Sequence, residues 1–190
     1  MQSVGNGPLR LKKSEAVLVV VDIQERLIPA MREGEKVVAQ SSKIIRGFRA
    51  MDIPILVTQQ YTKGLGDTVD DVKDAFDGDF SYIEKSAFSV MGEPSFAKAL
   101  AKSSRKTVVL IGVEAHVCVL QSALDMIEAG YDVFLVTDAI SSRKEMDELP
   151  GMCRMELSGV IPTTVESALF ELLDNDSKSD TFKTISKLIK

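Results

Sequence analysis

Short runs of consecutive apolar residues recur along the chain and alternate with segments in which apolar residues are spaced by three or four positions. The first run, at 16–21, reads Ala-Val-Leu-Val-Val-Val. Continuous, β-branched runs of this kind are typical of strands that are buried on both faces of a parallel sheet. The same pattern predicts further strands along the chain, which gives six in all: 16–21, 55–57, 79–83, 107–111, 132–136 and 160–162.

Helical spacing fills most of the intervals between these strands. Helices are predicted at 31–51, 93–102, 117–129, 147–158 and 163–173. Alternating strands and helices predict an α/β fold of three layers, because right-handed crossovers place helices on both faces of a six-stranded parallel sheet. The doubly wound strand order 3-2-1-4-5-6 makes the first and fourth strands neighbours, with a ligand site beyond their carboxyl ends.

The pattern also divides the chain into three parts. Residues 1–15 are predicted to be an N-terminal extension, residues 16–173 a single domain and residues 174–190 a C-terminal tail. The tail has amphipathic spacing, so we expect it to pack on the domain or to mediate assembly. Its apolar positions are Phe182, Ile185, Leu188 and Ile189.

Composition and charge narrow the classes of partner. The 190 residues carry a net charge of −5, the wrong sign for a surface that follows phosphates, so no nucleic-acid partner is predicted. The longest apolar run, 16–21, is far shorter than the ~20 residues of a membrane span, so no membrane partner is predicted. The first residues lack the apolar stretch of a secretory signal, which predicts a cytoplasmic location and leaves an organelle open.

Two residues at the predicted carboxyl edge of the sheet have the chemistry of a thiol nucleophile and its base. Asp22 follows the first strand, and Cys118 follows the fourth strand, where a helix is predicted to begin. The positive end of a helix favours a thiolate, and a nearby carboxylate can take the thiol proton. Each residue alone also fits a plainer role, the cysteine as a small core residue and the aspartate as a turn or cap. Lys85, taken alone, is a charged loop residue.

Four ordered blocks of sequence resemble the isochorismatase-like cysteine hydrolases. The resemblance extends over 16–173, and the stretch 58–68 further resembles the subgroup of isochorismatase domain-containing proteins. The blocks are Val-Val-Asp22-Ile-Gln, Glu-Lys85-Ser-Ala-Phe-Ser, Gly112-Val-Glu-Ala-His-Val-Cys118-Val and Val-Thr-Asp138-Ala-Ile-Ser-Ser-Arg143.

This resemblance implies a catalytic triad in which Cys118 is the nucleophile, Asp22 takes its proton, and Lys85 holds the two groups in register. It also implies a cis peptide bond between Val113 and Glu114. The backbone N–H groups of Glu114 and Cys118 would then form an oxyanion hole, which stabilises the charge that develops when a carbonyl is attacked.

Departures from the family pattern bear on metal and substrate. Relatives that hydrolyse nicotinamide carry an aspartate and several histidines after the second strand as a metal site, whereas this chain reads Thr-Gln-Gln-Tyr at 58–61 and has one histidine. We therefore expect no metal, no cofactor and no nicotinamidase activity. Gln24, Tyr61 and Phe88 are the candidate lining of a small-molecule pocket.

Two other residues are expected to have structural roles. His116 is two residues from Cys118, and side chains at that spacing point apart, so we expect a structural or pocket-edge histidine rather than a Cys–His dyad. Cys153 is on a predicted helix with Met152 and Met155, and we expect it to pack or to lie at an interface.

Lys85 presents a geometric difficulty. In the predicted order the third strand is two places from the first, about 10 Å away at a strand spacing of about 4.8 Å. The lysine and its loop must bridge that gap if the triad is to form.

Taken together, the sequence predicts a metal-independent cysteine hydrolase that cleaves an amide or similar C–N bond of a small molecule through an acyl-enzyme. A homo-oligomer is also predicted. Two alternatives stay open. One is a catalytically idle protein of this fold that serves binding or assembly. The other is a ribonuclease, which the net charge of −5 and the single histidine disfavour.

Overall fold

The computed structural model describes residues 10–174 and 178–190. Within these residues, six strands pair in parallel to form one sheet: β1 (Ala16–Val21), β2 (Ile55–Gln60), β3 (Ile83–Lys85), β4 (Thr107–Val113), β5 (Asp132–Ser141) and β6 (Ile161–Thr163). The order across the sheet is β3-β2-β1-β4-β5-β6. The predicted α/β class and strand order are therefore confirmed.

Helices follow the strands on both faces of the sheet. They are α1 (Gly34–Ala50), α2 (Thr62–Leu65), α3 (Asp70–Asp74), α4 (Pro94–Lys102), α5 (Leu120–Glu128), α6 (Glu145–Leu157), α7 (Val165–Leu173) and α8 (Asp180–Ile189). Two 3₁₀ turns, Ile28–Ala30 and Val90–Gly92, and one π-helical turn, Ala115–Val119, lie between them. Across the described ranges, no helix is long and apolar enough to cross a membrane. The cytoplasmic location stays a prediction.

Strand β1 separates two apolar cores. All six of its residues are buried. Leu18 and Val20 belong to a core covered by α1, α3, α7 and α8, whereas Val17 and Val19 belong to a core covered by α4, α5 and α6. Because side chains alternate along a strand, one continuous apolar run supplies both faces.

The C-terminal tail packs on the domain. Ile185 of α8 is fully buried, the other three apolar residues of the tail pack against the same core, and α8 contacts α1 and α7. Packing, one of the two predicted alternatives, is therefore observed. The predicted extension and tail include residues 1–9 and 175–177, which lie outside the described residues.

Several predicted boundaries were wrong. The third strand, predicted at 79–83, forms at Ile83–Lys85, and the fifth continues to Ser141 rather than ending at 136. The apolar run ends at Val136, but backbone pairing with β4 resumes after a register shift between Leu110 and Gly112. Periodicity of side chains does not report such pairing, because a bulge changes the count on one strand only.

Candidate active site

Three candidate catalytic side chains meet at the carboxyl edge of the sheet. Asp22 follows β1, Lys85 is the last residue of β3, and Cys118 lies in the π-helical turn after β4. The Nζ atom of Lys85 is 2.6 Å from Oδ2 of Asp22, and both side chains are fully buried. Cys118 is also buried and interacts electrostatically with both groups. The structure thus brings the three predicted catalytic residues together.

Strand β2 lies between β1 and β3 and closes the gap that the sequence left open. Its Thr58 hydroxyl donates a hydrogen bond of 2.8 Å to Oδ1 of Asp22. Two residues further along the same face, Oε1 of Gln60 accepts a hydrogen bond of 2.6 Å from Nζ of Lys85. Each member of the ion pair is therefore held by one side chain of the intervening strand. Sequence reasoning missed both contacts, although the i, i+2 spacing at the end of a strand was a signal for them.

The backbones of β1 and β4 approach each other closely at this edge of the sheet. Gly112 of β4 has φ of +123°, and a Cβ atom built there would lie 2.0 Å from the carbonyl oxygen of Val21. No side chain fits at that distance. Glycine therefore allows β4 to lie directly against the end of β1, one residue before Asp22.

Burial makes Asp22 a stronger base than an ordinary carboxylate. Removal from water raises the pKa of Asp22, and the positive charge of Lys85 opposes this rise without cancelling it. A buried carboxylate of this kind is suited to accept a proton from a weakly acidic group.

The thiol environment differs from the expectation that a helix end would hold Cys118 as a thiolate. Burial, together with the negative charge of Asp22, raises the pKa of Cys118 to about 12. The residue also lies in a π-helical turn, and the regular helix α5 begins only at Leu120. The expected thiolate-favouring environment was therefore wrong, because burial outweighs any stabilisation from the helix end.

Glu114 joins the π-helical turn that contains Cys118 to the neighbouring strand end. The peptide bond between Val113 and Glu114 is cis. The Glu114 carbonyl accepts hydrogen bonds from the N–H groups of Val117 and Val119, and its carboxylate lies 2.9 Å from Nε of Arg143. The oxyanion role of the Glu114 and Cys118 N–H groups stays a prediction.

The three predicted pocket residues lie at this edge in different settings. Gln24 is fully buried, and its side-chain amide donates to the carbonyls of Gln60 and Gly66, so it holds backbone in place. Tyr61 and Phe88 are 56% and 55% exposed, and therefore available to a ligand. The pocket role of all three stays a prediction.

His116 belongs to a polar network that the sequence did not reveal. Its Nδ1 atom is 2.8 Å from Oγ of Ser142. The buried carboxylate of Glu148 accepts a hydrogen bond from the Ser142 N–H and pairs with Arg32. These bonds hold the end of β5 beside the π-helical turn that contains Cys118. Cys153, by contrast, is exposed on α6.

No group of three or more potential metal ligands occurs in residues 10–174 and 178–190. Three cavities, of about 360, 660 and 600 Å³, are lined by other parts of the chain. The largest lies beside α1 and α3 and includes Ile28, Val38 and Val69 in its lining. None of the three cavities contains Asp22 or Cys118.

Comparison with known proteins places this geometry in a family. Residues 16–167 match the Isochorismatase domain. The chain belongs to the isochorismatase domain family. The resemblance inferred from the four sequence blocks is thereby confirmed, and the isochorismatase fold extends from β1 into α7.

Individual relatives cover most of this isochorismatase-family chain. Isochorismatase domain-containing protein 1 of Danio rerio is 38% identical over 181 residues, which are 95% of this chain and 62% of that protein. The chain thus spans less than two thirds of that relative.

Solved structures are similar as well. The MAR1 ribonuclease of Caenorhabditis elegans is 36% identical, with a TM-score of 0.88 and coverage of 95% of this chain and 92% of that chain. The YcaC gene product of Escherichia coli, described as an octameric hydrolase of unknown specificity, is 26% identical, with a TM-score of 0.89 and coverage of 97% and 91%.

Proposed function

We propose that this isochorismatase-family protein is a metal-independent cysteine hydrolase that cleaves an amide or similar C–N bond of a small molecule. The observation that carries the proposal is the fully buried Asp22–Lys85 pair facing the Cys118 thiol. A buried nucleophile beside a carboxylate with a raised pKa is the arrangement that general-base activation requires.

In the proposed reaction, the Cys118 proton moves to the Asp22 carboxylate as the sulfur attacks the substrate carbonyl carbon. The backbone N–H groups of Glu114 and Cys118 bind the oxyanion. Asp22 returns the proton to the leaving nitrogen as the C–N bond breaks, which leaves an acyl-thioester on Cys118. Water then attacks the carbonyl carbon of this thioester as Asp22 again accepts a proton. The C–S bond breaks, Asp22 returns the proton to the sulfur, and the acid product leaves the restored thiol.

The electrostatics favour proton transfer inside the pair over a thiolate formed in advance. A thiol with a pKa of about 12 is protonated at neutral pH. Moving its proton to Asp22 leaves the total charge of the site unchanged, so the small population with a thiolate and a protonated Asp22 does not vary with pH once the pair holds one proton.

Alkylation of the two cysteines tests this proposal without a substrate. Cys153 is exposed and serves as the internal reference. We expect the Cys118 rate, read by peptide mass spectrometry from about pH 5 to 9, to rise through the pKa of Asp22 and then stay level. In Asp22→Asn it should rise about tenfold per pH unit, as for an isolated thiol. A wild-type rate that rises in this way to high pH would mean that Asp22 is not the base.

Turnover is the second arm of the test. On a panel of small amides, Cys118→Ala should lose activity and the covalent acyl adduct, whereas Cys153→Ala should keep both. A level Cys118 alkylation profile with no turnover of any amide would favour the idle binding protein, since the nucleophile would be assembled without a C–N substrate.

The ribonuclease alternative rests on the similarity to the MAR1 ribonuclease. Against it stand the net charge of −5 and the single histidine, His116, whose Nδ1 is occupied by Ser142. Salt-dependent RNA binding that is tight in the wild type and lost in Cys118→Ala would favour this alternative over amide hydrolysis.

We also propose that the protein self-associates through α6. One side of this helix exposes Met146 at 80% and Leu157 at 90%, with Leu149 and Cys153 between them. Acidic residues lie in its first turn and Arg154 in its last, so antiparallel pairing of two copies brings opposite charges together. Sedimentation should show an oligomer that Leu157→Glu dissociates, and a wild-type monomer would contradict the proposal.

A further inference from the structure

The Lys85 ammonium is surrounded by more acceptors than it has protons. It carries three N–H donors. Neutral oxygens take a hydrogen bond from it at 2.6 Å (Oε1 of Gln60), 3.1 Å (carbonyl of Ala87) and 3.0 Å (carbonyl of Phe88). Because Oδ2 of Asp22 also lies 2.6 Å from this nitrogen, four acceptors share three donors.

Asp22 competes with these neutral oxygens for the donors of Lys85. Its Oδ2 atom faces the ammonium, and its Oδ1 atom accepts a hydrogen bond from Thr58. The charge of Lys85 and its hydrogen bond both lower the pKa of Asp22, whereas burial raises it. A weaker hydrogen bond from Lys85 therefore leaves Asp22 a stronger base for the proton of Cys118.

Hydrogen bonds to the side chain and to the backbone of Gln60 hold its amide in one orientation. Its Nε2 group donates to the carbonyl of Ser86 at 2.9 Å, which directs Oε1 toward Lys85. Its backbone N–H donates to Oε1 of Gln24 at 2.8 Å, and its carbonyl accepts from Nε2 of Gln24 at 3.0 Å. An amide held in this way is a pre-organised acceptor, not a chance neighbour.

We propose that Gln60 is a positioning residue that competes with Asp22 for the N–H donors of Lys85 and so weakens the hydrogen bond that Lys85 donates to the carboxylate. The inference rests on the proposed function of Asp22 as the base. In this arrangement β2, the strand between the two partners, leaves the positive charge of Lys85 beside Asp22 and takes up part of its hydrogen-bonding capacity.

The test compares Gln60→Met with Gln60→Glu in the pH profile of Cys118 alkylation. Without the Gln60 acceptor, Lys85 donates a stronger hydrogen bond to Asp22, and such a bond lowers the pKa of a carboxylate. In Gln60→Met we therefore expect the level part of the profile to fall about tenfold, equivalent to one pKa unit, and the acid limb to move to lower pH. Gln60→Glu keeps an acceptor for Lys85 and should restore most of the rate.

Two references separate this inference from its alternatives. Cys153 alkylation and Gln40→Met, a substitution of a glutamine on α1, should both match the wild type. A Gln60→Met profile equal to the wild type, with a level wild-type profile, would overturn the role of Gln60 and leave the proposed function standing. A wild-type profile that is not level would instead mean that Asp22 is not the base, which would contradict the proposed function. Local unfolding in Gln60→Met would speed Cys118 labelling, opposite to the expected direction.

Discussion

Two Asp–Lys pairs in this protein have similar distances and opposite surroundings. Asp22 and Lys85 are 2.6 Å apart with both side chains fully buried, whereas Asp67 and Lys73 are 2.9 Å apart with side chains 44% and 26% exposed. Burial raises the pKa of Asp22 against the charge of Lys85, but the hydrogen bond from Lys73 lowers the pKa of Asp67. The same two residue types thus give a carboxyl group with a raised pKa in one place and a carboxyl group with a lowered pKa in the other.

The partners around each aspartate explain the difference. Asp67 also accepts from the Gln59 amide and from the Thr68 N–H, so its carboxylate is saturated with donors beside solvent. Asp22 accepts a hydrogen bond from Thr58 and is fully buried. Desolvation therefore dominates at Asp22, and hydrogen bonding dominates at Asp67.

The largest effect is expected when each pair loses its lysine. Lys85→Met leaves a buried carboxylate without its counter-charge, and breaking a buried pair in this way lowers the free energy of unfolding by about 3–5 kcal/mol. Lys73→Met removes a surface pair and should lower it by about 1 kcal/mol or less. Urea unfolding of both variants at neutral pH measures the contrast. Equal losses would mean that burial does not distinguish the pairs.

The position of Lys85 shows which part of the candidate site the strand order could not predict. The apolar runs predicted the strand order, and the strand order placed Asp22 and Cys118 at one edge. Lys85, two strands from Asp22, could be included only through the family resemblance. The bridge across β2 depends on Thr58 and Gln60 facing the same side at the strand end, and nothing in their residue types distinguishes them from surface polar residues.

Cys118 shows a different limit of the sequence-based prediction. Its position beside Asp22 was predicted, but the protonation state of its thiol was not. Position after a strand and before a helix predicted a stabilised thiolate at Cys118. The degree of burial reverses that conclusion, since burial raises the pKa to about 12. Burial depends on how α5, α6 and the Val90–Gly92 turn pack around the site, and these tertiary contacts are not encoded in local sequence.

A smaller effect is expected from removing one hydroxyl near each kind of partner. Thr58→Val deletes a buried hydrogen bond to the Asp22 carboxylate and should lower the free energy of unfolding by about 1.5–3 kcal/mol. Thr62→Val deletes a bond to the neutral amide of Gln59 and should lower it by about 0.5–1.5 kcal/mol. Thermal unfolding measures both.

Thr58→Val also has a readout in the site. Loss of a bond donated to a carboxylate raises the pKa of Asp22 further, so the acid limb of Cys118 alkylation should move to higher pH. Thr62→Val should leave that limb in place. A limb that stays unchanged in Thr58→Val would mean that the hydroxyl stabilises the fold without tuning the base.

The smallest expected effect is a change of stability with pH, and it has opposite signs for the two aspartates. The pKa of Asp67 is lowered from 3.8, so its contribution to stability is complete above that value and is lost as the pH falls through the lower folded-state pKa. The destabilisation by Asp67→Asn, about 1 kcal/mol or less at neutral pH, should therefore vanish in acid and in about 1 M salt.

The pKa of Asp22 is raised from 3.8, so protonation in acid favours the folded state. The destabilisation by Asp22→Asn should consequently grow as the pH falls through the folded-state pKa of Asp22. Urea titrations of both variants from about pH 3 to 7 measure these slopes. Slopes of the same sign would show that the buried carboxylate is no better a base than the exposed one.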